Sequence, residues 1–260
     1  MAYNYKIPAL QAKLKSMHAK MLDKEDYNEL LMSETLIDAI NILKQRFPML
    51  VNLNESMHRK EIEIELANIF LYDINKIYTY LSMDEKEYCD LFLSKFSFMP
   101  DEKVDIHIWE KIYNHSVTSG SLKELVGTEI DMLNLLWIYR SKRFFGYPKE
   151  EVEGILIPIN YKLSKKVLDT LVNLNYNELI SEIDNTEYRG IIKSEENIYY
   201  DFDEYLYKKC IKTFRYNSFD ISIVIAYLYL LQYEIKNIIN IIESIRYKSD
   251  KDELRKRIII

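Results

Sequence analysis

The sequence predicts an all-α protein, built from about two copies of a three-helix unit plus a long closing helix. Three observations point there. Only 5 Gly and 5 Pro occur in 260 residues, too few for the many tight turns of a sheet-rich fold. Apolar residues recur with the 3.6-residue helical period through most of the chain. Capping residues stand just ahead of several of those runs. Hydrophobic residues make up 48% and charged residues 29%, a globular composition rather than a disordered one. The length suits one large domain or two small ones.

Lys6 to Leu22 is the first amphipathic helix. Pro8 suits the first helical position, Leu10, Leu14, Met17 and Met21 share one face, and Lys13, Lys15 and Lys20 lie on the other. Asp23 caps the short run KEDYNELLM, and Ser33 caps a second helix ending near Arg46. Pro48 and residues 52–54 form a loop. The segment EIEIE alternates like a strand, but for five residues only. Ile62, Leu66, Ile69, Ile77 and Leu81 hold a helical face much longer, so one helix is expected over 56–82. Another follows over 84–98, stopped by Pro100, and a short one over Val104–His115. SVTSGS is the clearest linker in the chain.

The second half begins with a helix over Leu125–Phe145, with Ile130, Leu133, Trp137 and Phe144 on one side and Gly146 and Pro148 at its end. EGILIPINYKLS is extended, because Pro158 breaks a helix. Ser164 caps LSKKVLDTLVNL, and a further short helix covers 175–184. Residues 195–216 are helical and aromatic. Residues 219–247 form a long helix, apolar nearly all round in its first half, as a buried helix is. Residues 251–260 add a last turn. A long helix followed by two short ones occurs at 6–46 and again at 127–184. The capped starts align from Leu22 and Leu163, whereas DYNELL and NYNELI fall out of that register. The expected division is an N-terminal helical repeat over 1–116 and a C-terminal repeat with the closing helix over 121–260.

Composition excludes several classes. Lys plus Arg number 35 against 41 Asp plus Glu, and a net charge of −6 argues against a dedicated nucleic-acid binder. No glycine-rich phosphate loop or nucleophile elbow occurs. Two cysteines, Cys89 and Cys210, give no disulfide framework and suit a reducing compartment as buried thiols. The first residues lack the apolar core of a signal peptide. The most apolar stretch, Ile221 to Tyr233, is shorter than the ~20 residues a membrane span needs.

Candidate chemistry is sparse. His18, His58, His107 and His115 stand at no metal-ligand spacing. Glu61, Glu63 and Glu65 scatter around a helix and are expected to be solvated. The 22 tyrosines lack a basic groove and suit core packing better than base stacking. Arg255, Lys256 and Arg257 form a basic, solvated end. Two polar pairs stand out in otherwise apolar helices: Asp131 with Asn134, and Glu234 with Asn237, each three apart on one face. Buried acids need hydrogen bonds. Each pair either satisfies a neighbouring helix end, or an arginine such as Arg140, or forms a polar patch for a partner.

These pairs also carry a resemblance. AYLYLLQYEIKNIINIIESIR, with Glu234 and Asn237, resembles the closing helix of the AC39 family of V-type ATPase components. GTEIDMLNLLWIYRSKRFFGYPKEEVEGILIP looks like the family's D-x-x-N helix, with Asp131, Asn134, Arg140 and Lys142, then the turn at Leu156 to Pro158. NTEY at 185–188 is similar to its T-x-Y, and MLDKEDYNELL to its opening repeat. Leu231 and Gln232 replace the usual Lys-Glu pair, Asn160 replaces a glycine, and Phe47 stands near an expected T-x-Y. The family has three helical repeats in a funnel, and about one is missing here between 90 and 127.

The resemblance implies a non-catalytic rotor component of a V-type ATPase, with no catalytic residue, cofactor, metal or small-molecule substrate of its own. It would seat the central shaft on the membrane rotor ring and couple ATP hydrolysis or synthesis to H⁺ or Na⁺ transport. Its implied partners are the shaft subunits and the ring, with no nucleic acid and no direct membrane span. Its implied place is cytoplasmic, peripheral on the cytoplasmic face of the membrane. The alternatives are a helical adaptor outside any ATPase and an enzyme whose site has no familiar motif.

Overall fold

A computed structural model of the chain describes residues 6–95, 106–216 and 220–260. Among these residues are thirteen α-helices, one π-helical turn, one 3-10 turn and no strand. They fall into two compact units. The first takes Met1–Glu102 and Cys210–Ile260, and the second Lys103–Lys209.

The first unit contains α1 (Lys6–His18), α2 (Lys24–Met32), α3 (Leu36–Arg46), α4 (Arg59–Tyr78) and α5 (Met83–Ser94). Asp23 caps α2 as expected: its carboxylate accepts the N–H groups of Glu25 and Asp26, and the Asp26 carboxylate returns a bond to Asp23 N–H. The cap of α3 is a correction. Thr35, not Ser33, starts that helix, because the Thr35 hydroxyl accepts Asp38 N–H while the Asp38 carboxylate accepts Thr35 N–H. Ser33 instead ends α2. The helix expected over 56–82 is present and shorter, as α4. Pro100 and the far end of the helix expected over 84–98 lie outside the described residues.

The second unit contains α6 (Ile106–Ser116), α7 (Gly120–Arg140), α8 (Lys149–Ile155), α9 (Lys165–Asn173) and α10 (Tyr176–Ile183). The expected linker SVTSGS is only a turn. Ser119 caps α7 through Leu122 N–H, so the helix begins five residues before Leu125. After Arg140 the backbone runs into a π turn over Ser141–Phe145, and Gly146 closes it at φ +59°. The π turn breaks the helical phase, so Phe144 faces outward at 60% exposure instead of joining Ile130 in the core. The segment expected to be extended from Glu153 is extended only from Leu156, since α8 takes up its start. The core is formed by Leu135, Ile138, Leu171, Leu179, Ile183 and Tyr188. At Gly127 the side of α7 meets the Tyr161 ring so closely that a Cβ would overlap it.

The boundary between the units falls within α11 (Ile198–Tyr216). α12 (Ser222–Tyr247) and α13 (Lys251–Arg255) complete the first unit. Every residue of α12 from Ile223 to Leu231 is buried. It packs with α1, α2, α3, α4 and α13, which explains why its sequence is apolar all round. Among the described residues no helix is long and apolar enough to cross a membrane.

Candidate functional site

The buried charged side chains among the described residues are four acids: Glu65, Asp131, Asp201 and Glu234. Burying a carboxylate is unfavourable without donors, so each must be accounted for.

Asp131 lies on α7. Its Oδ2 accepts the N–H of Lys162 at 2.9 Å and of Leu163 at 3.3 Å, just ahead of the Ser164 cap of α9. The Tyr188 hydroxyl donates to the same oxygen at 2.6 Å. One turn on, Asn134 pairs with a backbone group on each side of its amide. Its Nδ2 donates to Ile157 O at 3.0 Å, and its Oδ1 accepts Ile157 N–H at 2.8 Å. One helical turn thus holds both ends of the extended segment 157–163.

The first unit repeats the device with α12. Glu234 Oε1 accepts Leu22 N–H at 2.6 Å, just ahead of the Asp23 cap of α2. Asn237 donates to Ile259 O at 2.8 Å and accepts Ile259 N–H at 3.2 Å. Leu22 and Leu163 are the two residues from which the capped starts align in sequence, and each gives its N–H to the acid of a pair. The correspondence continues downstream. Tyr188 follows Leu163 at the spacing at which Phe47 follows Leu22, and Lys193 and Asn52 extend the same register. Lys193 N–H donates to Asp201 at 2.8 Å, and Asn52 N–H to Glu65 at 3.0 Å. A lysine ends each short helix: Lys142 Nζ donates to Val172 O at 2.8 Å, and Lys251 Nζ to Ser33 O at 2.8 Å. Burial lowers the Lys142 pKa below the usual lysine value.

One difference between the two junctions lies at the position shared by Tyr188 and Phe47. Tyr188 brings a hydroxyl to Asp131, whereas Phe47 has none for Glu234. Burial raises Asp131, and the Tyr188 hydroxyl and the N–H groups of Lys162, Leu163 and Tyr161 pull it back, leaving it at about 6. Burial raises Glu234 as well, with only Leu22 N–H to oppose it, and the charges of Asp73 and Asp26 add to the rise, leaving it at about 8.

Both polar pairs therefore satisfy neighbouring backbone, and neither forms a surface patch for a partner. Arg140 is exposed and makes no bond to Asp131. Two acids escape the sequence reading. Glu65, expected to be solvated, is 6% exposed, and Asp201 is not singled out by any motif. Glu65 stands three residues after Ile62 and four before Ile69, and Asp201 three after Ile198, so each sits on its helix's apolar stripe. Cys89 and Cys210 are buried thiols. His18 stacks on Phe214 at 4.7 Å, and His107 pairs with Glu110. Arg255 and Arg257 pair with Asp252 and Glu253 on the surface.

A search of curated proteins finds no match. A family profile described as ATP synthase (C/AC39) subunit matches residues 10–99 and 101–257, nearly the whole chain. That family comprises non-catalytic stalk subunits of V-type ATPases. With both acid–amide junctions inside the matched segments apart from the Ile259 partner, and an all-helical fold around them, the chain belongs to the ATP synthase (C/AC39) subunit family.

Proposed function

We propose that this chain is the rotor coupler of a V-type ATPase, seating the central shaft on the membrane ring at the cytoplasmic face. ATP hydrolysis or synthesis in the head would then be linked through it to H⁺ or Na⁺ movement through the ring. The observation that supports this best is how the buried polar groups are used. All four buried acids among the described residues hold backbone within a unit, and this stiffens each helical body. A coupler works by transmitting torque without yielding, so internal stiffness serves it directly. The repeat division at 1–116 and 121–260 belongs to the same proposal: α2 and α9 open matching helix pairs, one in each part.

The test is deletion of the chain in a cell whose membranes yield sealed vesicles. ATP hydrolysis by the head should persist while ATP-driven ion transport is lost. The protein should also wash off membranes without detergent and co-purify with shaft and ring subunits. Unchanged ion transport after deletion would reject the coupler and favour a free helical adaptor.

A further inference from the structure

The first unit holds a cavity of about 300 Å³, at the lower end of the ~300–1,000 Å³ range of ligand sites. Phe47 and Glu234 both line it. These are the two residues whose counterparts, Tyr188 and Asp131, are joined by a hydroxyl–carboxylate bond. In the first unit that bond is absent. Glu234 is 2% exposed and accepts a single hydrogen bond, from Leu22 N–H. Glu234 has one N–H donor, where Asp131 Oδ2 has three and Asp131 Oδ1 has none.

Among apolar and tyrosine side chains, the lining also carries Asp73 and four basic residues, Lys13, Lys20, Arg46 and Lys76. Arg46 and Lys76 are already paired, with Asp26 and Asp73. Asp73 also accepts from the Tyr227 hydroxyl, and its charge still acts on Glu234 in the same lining. Lys13 and Lys20 also line the cavity, and neither has a carboxylate partner among the described residues. Two unpaired ammonium groups therefore share a cavity with one buried carboxyl that lacks a second donor. The matching ligand is a small anion that also carries an acidic proton.

We propose that this cavity binds inorganic phosphate, with Lys13 and Lys20 meeting its charged oxygens and its P–OH group bonding Glu234 where the other unit uses a tyrosine hydroxyl. Phosphate offers both donor and acceptors, so it satisfies the carboxyl in either protonation state. Sulfate has the same shape but no proton to give at neutral pH. The site is a binding site and not a catalytic one, and it goes beyond the coupler role.

Isothermal titration of the full chain with sodium phosphate at pH 9 tests this, with ionic strength held by chloride; Glu234 is then ionised and sulfate has no proton to offer it. The expected result is saturable binding of one phosphate at or below about 1 mM, and sulfate at least about tenfold weaker. The double variant Lys13→Ala, Lys20→Ala alters side chains that reach solvent and should fold. It should lose at least about tenfold in affinity. Phe47→Tyr supplies the missing hydroxyl and should lose phosphate binding while circular dichroism stays helical. No saturable phosphate binding overturns the proposal. So does parental affinity in the lysine double variant, or equal affinity for sulfate and phosphate.

Discussion

Asn237 and Ile259 exchange two hydrogen bonds, side-chain amide to backbone N–H and C=O, across 22 residues of sequence. The amide acts as a peptide unit would in a sheet. It satisfies an extended backbone that has no strand beside it. Asn134 treats Ile157 the same way.

Replacing either asparagine by alanine should therefore strand one buried N–H and one buried C=O. Asn134→Ala and Asn237→Ala are each expected to lose about 2–4 kcal/mol, the penalty for two unpaired buried groups. Urea unfolding with an unchanged slope would measure it. A loss below about 0.5 kcal/mol would mean that water replaces the amide and that the junction is not structural.

The elevated Glu234 predicts a pH dependence with a definite sign. Its carboxyl sits at about 8 in the fold against an ordinary 4.5, so the folded chain holds the proton more tightly. Stability contributed by this group is then greatest below 4.5, falls as pH rises from 4.5 to 8, and is level above that. Glu234→Gln keeps the acceptor for Leu22 N–H and removes the titration. The variant should match the parent near pH 5 and exceed it at pH 9 by a few kcal/mol. Parallel stability curves from pH 5 to pH 9 would show that Glu234 titrates normally.

Tyr188→Phe copies the Phe47 arrangement into the second unit. Asp131 loses its side-chain donor and keeps only backbone N–H groups. The expected cost is about 1–3 kcal/mol at pH 8, for a hydrogen bond to a charged group. It should shrink below pH 5, where Asp131 is protonated in the fold. Thermal melts at the two pH values separate this from a plain packing defect, which would be insensitive to pH.

Gly127→Ala sets two effects against each other. Alanine favours a helix over glycine by roughly 0.5–1 kcal/mol. The new methyl, however, meets the root of the Tyr161 ring, which has no room to give without moving the loop that donates to Asp131. Overpacking of this kind costs about 1–3 kcal/mol, so a net loss is expected. Differential scanning calorimetry showing a raised melting temperature would mean that the loop yields freely.

Much of the fold is legible in the sequence because caps and periods are local. Asp23, Ser164 and Asn175 each precede an apolar run and each caps it in the structure. Thr35 is legible too, through Asp38 three residues on, but Ser33 competes as a nearby hydroxyl. The outward turn of Phe144 is not, because a π turn shifts the helical phase without a proline to announce it. At the junctions the acid–amide helices can be seen, but not what they hold. Leu22 lies 212 residues from Glu234, and no local pattern encodes a bond of that reach. Glu65 is overlooked because alternating glutamates mask the one that shares a stripe with Ile62 and Ile69.

The bond from Leu22 to Glu234 also orders events on the ribosome. The second unit is one unbroken stretch, Lys103–Lys209, and can gather its core as soon as it emerges. The first unit is assembled from both sides of that stretch, so α1 to α4 must wait, their apolar faces uncovered, until α12 has been translated. Contacts of so long a sequence separation form slowly, so the docking of α12 is expected to be the last step in closing the first unit.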